Sequence, residues 1–337
     1  MRLTSRLKPK RYNYSSLIIL ILFILVSIIS LMKGAVELSG LEFINAIFKQ
    51  GNYTNQMIIW DLRLPRLISS MLVGSALGMS GALLQGMLRN SLASPYLLGI
   101  SAGSGLVIVL LISIGIWQSL IPFIAWMGAI TSTILVYFLA RTGTNISVER
   151  LILGGVALSS LFGSIQSMLL LNTEDGRVQA ALTWLIGSLN SRGWTEIKLA
   201  GPPIVFALVV GLLLSRQLNL LGLGDELSVG LGNSLFRSRC LIGASATLLA
   251  ASSVSVGGLI GFVGLIVPHA ARFFFGTDYK VVLPFSALLG ALTLSAADLI
   301  ARSGPIELPV GIITSLLGAP IFIVLLYKRQ KSLTSLR

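Results

Sequence analysis

Residues 90–140 run for 51 positions without one Asp, Glu, Lys or Arg. Soluble domains carry about 25% charged residues, so a run like this has no place on a solvated surface. A helix needs about 20 apolar residues to cross a bilayer, and only helices or closed barrels satisfy their backbones there. The run is therefore long enough for two crossings, and Pro95 and Pro122 mark where it breaks. Six other charge-free runs give one crossing each: 12–32, 67–88, 151–173, 199–215, 281–297 and 308–327. The apolar stretches are continuous rather than alternating, which excludes a β-barrel.

Residues 240–271 form a further uncharged run of 32, too long for one crossing and short for two. Charge decides it. Arg2, Arg6, Lys8, Lys10 and Arg11 crowd one terminus and Lys328, Arg329, Lys331 and Arg337 the other, so both ends are expected in the cytoplasm. That requires an even number of crossings. The run is then a hairpin closing on Gly257-Gly258 with a short second arm, and the total is ten. In this topology 17 of the 25 Lys and Arg fall on cytoplasmic segments. Trp60, Trp117, Trp184 and Trp194 fall in or beside outer loops, as interfacial anchors would. The expected fold is an all-α polytopic membrane protein of about ten transmembrane helices, one membrane domain over residues 1–337. The N-terminus has the charge and apolar run of a signal peptide but no small-residue cleavage site, and reads as a retained first helix.

The uncharged run 178–191 is too short to span and reads as an outer re-entrant or interfacial helix. Small-xxx-small pairs such as Gly74/Gly78 and Gly257/Gly261 suit close helix approach in lipid.

Composition narrows the chemistry. The net charge of +13 is accounted for by cytoplasmic loops rather than by nucleic acid. One cysteine, Cys240, allows no internal disulfide, and one histidine, His269, leaves no metal cluster to build. No lysine follows a glycine, so there is no phosphate-cradling loop, and no serine has a partner that would make it a nucleophile. An enzyme is not expected. Asp298 is the one acid that interrupts an apolar crossing, which leaves a stand-alone ion-coupled transporter as a rival reading.

The stretch LNLLGLGDELSVGLGNSLFRSR, residues 218–239, sits between two apolar runs on the cytoplasmic side. Leu220, Leu221, Leu223, Leu227 and Leu231 recur at helical spacing, and Gly222, Gly224, Gly230 and Gly232 cut the segment into short pieces. Asp225 and Glu226 stand where a second short helix would begin, favourably for its dipole. Two such helices cannot bury their leucines against each other. An amphipathic loop on lipid headgroups would want basic residues at its centre, whereas this one is acidic there. A protein partner is the better fit.

Three blocks resemble a known family: LRLPRLISSMLVGSALGMSGALLQGMLRNSLASPYLLG (62–99), GGLIGFVGLIVPHAARFFFG (257–276) and ELPVGIITSLLGAPIFIVLLYK (307–328). Together with RQLNLLGLGDELSVGLG they are similar to the FecCD family, permease subunits of ABC importers for ferric siderophores, haem and vitamin B12. The resemblance implies a vitamin B12 importer-like permease fold in the bacterial cytoplasmic (inner) membrane. It implies a second permease subunit, identical or paralogous, and two ABC ATPase subunits that hold ATP and Mg, with no cofactor on this chain. It also implies a periplasmic or lipid-anchored binding protein, and a ferric siderophore as substrate, with haem or vitamin B12 as alternatives.

Residue by residue, 218–234 would be the coupling helices, with Leu220, Leu221, Leu223, Gly224, Asp225, Glu226, Leu227, Gly230, Leu231 and Gly232 at the ATPase. Arg63 and Arg66, with Arg302 as a third, would meet acidic lobes of the binding protein. The connection 303–306 is shorter than usual for the family. A cytoplasmic gate would involve Asn90 and Leu92 opposite Ser147, Val148 and Glu149. The family usually has Asn-Pro-Leu-Ala at the first of these, where this chain has Asn90-Ser91-Leu92-Ala93.

Overall fold

The computed structural model describes residues 9–34, 36, 38–95, 99–115, 120–142 and 145–334. Arg2, Arg6, Lys8, Trp117 and Arg337, used above to argue topology, lie outside the described residues. Helices run α1 Pro9–Met32, α2 Gly40–Ile47, α3 Tyr53–Met57, α4 Leu64–Met87, α5 Ile100–Ile114 and α6 Ile121–Ala140. They continue as α7 Val148–Leu171, α8 Asp175–Ile186, α9 Trp194–Leu213, α10 Ser215–Gly222, α11 Asp225–Gly230 and α12 Leu235–Gly257. The chain ends through α13 Val263–Phe275, α14 Tyr279–Ala301 and α15 Val310–Thr334. Among the described residues seven helical segments are long and apolar enough to cross a membrane, and three shorter apolar helices bring the set to ten.

The breaks follow local chemistry. Pro122 opens α6, where its missing N–H costs nothing, and Gly99 and Gly115 adopt left-handed φ of 70° and 75° at the two ends of α5. The 240–271 run is a hairpin as expected: α12 stops at Gly257, Gly258 turns at φ 70°, and α13 is short. The 178–191 run forms α8, which begins three residues earlier, on Asp175.

Two expectations change. The crossing expected over 67–88 is preceded by further helix. Asn52 caps α3 by accepting from Thr54 N–H (3.0 Å), and α3 passes through a π-helical turn, Ile58–Arg63, straight into α4. Helix is thus continuous over Tyr53–Met87. Also, a two-residue ladder, β1 Arg141–Thr142 with β2 Asn145–Ile146, closes the α6–α7 connection.

Helix α4 lies at the centre, packed against α14, α12, α13 and α9. Gly74 and Gly78 explain how it fits. A Cβ on Gly74 would stand 2.3 Å from Gly290 O, and one on Gly78 2.2 Å from Ser286 O, so α4 and α14 touch backbone to backbone. Polar side chains bridge helices within this core: Ser80 donates to Ala246 O (2.7 Å) across to α12, and Ser70 pairs with Ser295 of α14 (2.8 Å).

Candidate functional site

At the end of the bundle that the charge count assigns to the cytoplasm, α10 and α11 project as two short helices. Glycine 224, at φ 105°, makes the turn between them. The leucine side divides. Leu218 and Leu221 are buried in the bundle, Leu218 lying under Gly86, so Leu221 is not available to a partner. Leu220 is half-buried. Leu223, Leu227 and Leu231 are 54%, 62% and 59% exposed, and Val229, which helical spacing of leucines overlooks, joins them at 54%. Glu226, Gly230 and Gly232 are also exposed. Asn219 ties α10 to the start of α14: it donates to Asp278 Oδ1 (2.7 Å) and accepts from Tyr279 N–H (3.0 Å). The Lys280 N–H first, then Asn219, hold the Asp278 carboxyl below its ordinary range.

Asp225 faces the other way. Its carboxylate takes Arg239 Nη2 on both oxygens (3.0 and 2.8 Å) and Arg89 Nη2 on one (2.8 Å). With Ser147, Val148 and Glu149 these three side chains line one pocket of about 570 Å3. Part of the expected gate is therefore beside the expected coupling segment. Asn90 and Leu92 belong to the adjoining turn. Asn90 Oδ1 accepts from Leu92 N–H (2.9 Å), an Asx turn that holds the loop without the family's usual proline. Ser147 caps α7 by accepting from Arg150 N–H (3.4 Å).

At the opposite end the structure gathers Arg63, Arg66 and Arg302, but turns all three inward. Arg63 is 6% exposed, its guanidinium donating to Leu31 O and Met32 O (2.7 Å each) and to Val36 O at the end of α1. That is a brace between α1 and α4, not a cation presented to a docked protein. Arg66 forks onto Asp298 (2.8 to 3.1 Å) and reaches Glu307 (2.6 Å). Arg302 lies 3.6 Å from the same aspartate and bonds Ser30. The side chains of Arg66, Arg302 and Asp298 are 13%, 8% and 2% exposed. Arg66 and Arg302 line a cavity of about 1050 Å3 that Lys33, Asp61 and Arg192 also line. Arg192, not singled out from the sequence, sits 4.5 Å over the Trp184 ring, and burial pushes its guanidinium below the ordinary value.

The chain is 40% identical to the Fe(3+)-citrate import system permease protein YfmE of Bacillus subtilis, over 97% of this chain and 98% of that one. It is equally, 40%, identical to the cobalamin import system permease protein BtuC of Halobacterium salinarum, over 82% and 75%. A solved structure described as an inward-facing conformation of a metal-chelate type ABC transporter superposes with a TM-score of 0.86 at 31% identity, covering 94% of this chain and all of that one. The FecCD transport family model matches residues 20–328, and the chain belongs to that family.

Proposed function

We propose that this chain is the permease subunit of an ABC importer that carries a ferric siderophore inward across the bacterial cytoplasmic membrane. A partner permease would complete the path, two ATPase subunits would supply energy from ATP and Mg, and an external binding protein would deliver the chelate. The observation that carries the reading is the patch of Leu223, Leu227, Val229 and Leu231. It is apolar and exposed on a projection that the bundle itself leaves uncovered. A groove on an ATPase would cover it. Two relatives named for different cargoes share the same identity with this chain, so kinship alone does not choose between chelate and corrinoid. The chelate is favoured by the outer cavity, where Arg66 and Arg302 are balanced by Asp298 and Glu307 but Lys33 and Arg192 still outnumber Asp61. That balance suits an anionic ligand, or the acidic lobes of the protein that delivers it.

The ion-coupled rival is disfavoured by Asp298, which is engaged by two arginines and so is not a free proton carrier. The test is Leu227→Asp. Placing a charge in a desolvated contact should cut ATPase co-purification by about tenfold or more. An intact complex at wild-type yield would remove the patch from the interface.

A further inference from the structure

The fold leaves a question about Asp225. Sequence reasoning places it among the residues that meet the ATPase, yet its carboxylate points back into the permease. We infer that Asp225 is a positioning residue, the joint through which movement of α10 and α11 reaches the cytoplasmic turns of the bundle. This rests on the coupling role proposed above.

Three segments meet at the one carboxylate. Arg239 belongs to α12, and its other amino group donates to Ile146 O (2.9 Å), in the β1–β2 ladder immediately before the Ser147 cap of α7. Arg89 belongs to the turn between α4 and α5, next to Asn90, and holds a left-handed φ of 49°. That conformation is strained for a non-glycine residue, so the turn is kept in place by its surroundings. Helix α11 has only six residues and cannot fix its own orientation. The two bonds from Arg239 Nη2, one to each carboxylate oxygen, set it.

The two links differ in strength. Arg239 is 5% exposed, so its pair with Asp225 is shielded from water on one side and geometrically constrained. Arg89 is 41% exposed and Asp225 38%, so that second pair is solvent-screened and exchangeable. Helix α11, the start of α12 and the α6–α7 ladder therefore move as one body. The α4–α5 turn is attached to it by the weaker contact at Arg89. A displacement of α11 by a bound ATPase would then shift the Ser147 side of the cytoplasmic opening relative to the Asn90–Leu92 side.

The experiment uses the assembled complex with its ATPase in nanodiscs, on a Cys240→Ser background carrying a fluorescent label at Leu92→Cys. Adding MgATP should change the label's emission in this parent. With Asp225→Asn the ATPase should stay bound and hydrolyse ATP while the emission change falls about fivefold or more, and Asp225→Glu should restore it. A full emission change in Asp225→Asn overturns the joint. If Asp225→Asn releases the ATPase, Arg89→Gln decides, since it leaves the Arg239–Asp225 pair intact: a reduced change supports the joint and an unchanged one overturns it. A parent that binds no ATPase overturns the permease reading itself, and is distinguishable because it shows before any variant is made.

Discussion

Replacing Asp298 by asparagine removes the one anion shared by Arg66 and Arg302. In the wild type two guanidinium groups face two carboxylates, Asp298 and Glu307, so the cluster is charge-balanced. The variant leaves Arg302 with Ser30 alone and Arg66 with Glu307 alone, a net charge of one in a place where the three central side chains are at most 13% exposed. Unit charges ~4 Å apart interact by about 4 kcal/mol at an effective dielectric of ~20. Removing one partner of a buried pair costs about 3–5 kcal/mol by mutational precedent. The two estimates agree, so a loss of that size is expected. Loss of the far-UV circular dichroism of the helices in detergent reports thermal unfolding. At about 2–4 °C per kcal/mol, Tm should fall by roughly 6–20 °C. Pairing Asp298→Asn with Arg302→Gln should recover part of the loss, because it removes the stranded charge; coupling of about 1 kcal/mol or more is expected. A single variant that melts within ~1 °C of wild type would show the cluster to be solvated and refute the reasoning. The same variant separates the transport readings: an aspartate serving as a proton carrier would lose uptake and keep its stability.

Other outcomes follow from packing and capping. Gly74→Ala should destabilise by about 1–3 kcal/mol despite alanine's better helix propensity, since its Cβ would lie 2.3 Å from a carbonyl oxygen of α14; a rise in Tm would refute the contact. Gly163→Ala on α7, where nothing lies within 4 Å, should stabilise by about 0.4–1 kcal/mol in the same melt. Asp278→Ala should cost about 1 kcal/mol by loss of the α14 cap. Because the folded-state pKa of Asp278 is depressed, that contribution is fully present above about pH 4 and lost as pH falls through the lower folded value. The gap in Tm between wild type and variant should therefore close on acidification, and a gap that widens would refute the assignment.

How much was legible depended on whether a residue's environment is local. The uncharged runs fixed the long helices, and the odd length of 240–271 with its twin glycines was enough to read a hairpin with a short return arm. The helix before residue 67 was not legible. Arg63 and Arg66 look like loop residues until their partners are known, and Asp298 is 232 positions from Arg66. Periodicity found the apolar side of α10 and α11 but not which leucines the bundle had already claimed. Leu218 packs where Gly86 leaves room for it, and Leu221 is buried as well. Likewise the acidic pair Asp225 and Glu226 suits a helix start on dipole grounds alone. Nothing nearby in sequence says that one of the two carboxylates turns to Arg239 and the other to solvent.

The blocks that carry the family resemblance coincide with places where backbones meet, which gives them a physical meaning apart from any ligand. In the first block a Cβ on Gly81 would stand 1.7 Å from Gly264 O, and Gly264 belongs to the second. Gly311 of the third would place a Cβ 1.8 Å from Ile186 O at the end of α8, and a Cβ on Gly318 would strike Phe262. The short helix α8 ends inside this junction. Ser188 N–H donates to Gly257 O (2.8 Å), Leu259 N–H to Trp184 O (3.2 Å) and Gly311 N–H to Gly187 O (3.1 Å). Irregular backbone among apolar helices survives only where other protein satisfies it. Here three separate segments satisfy one another, and each contact is close enough to need glycine. A side chain added at any of these contacts would part the segments of that junction and leave amides unpaired away from water, which is why the motifs are rich in glycine and poor in charge.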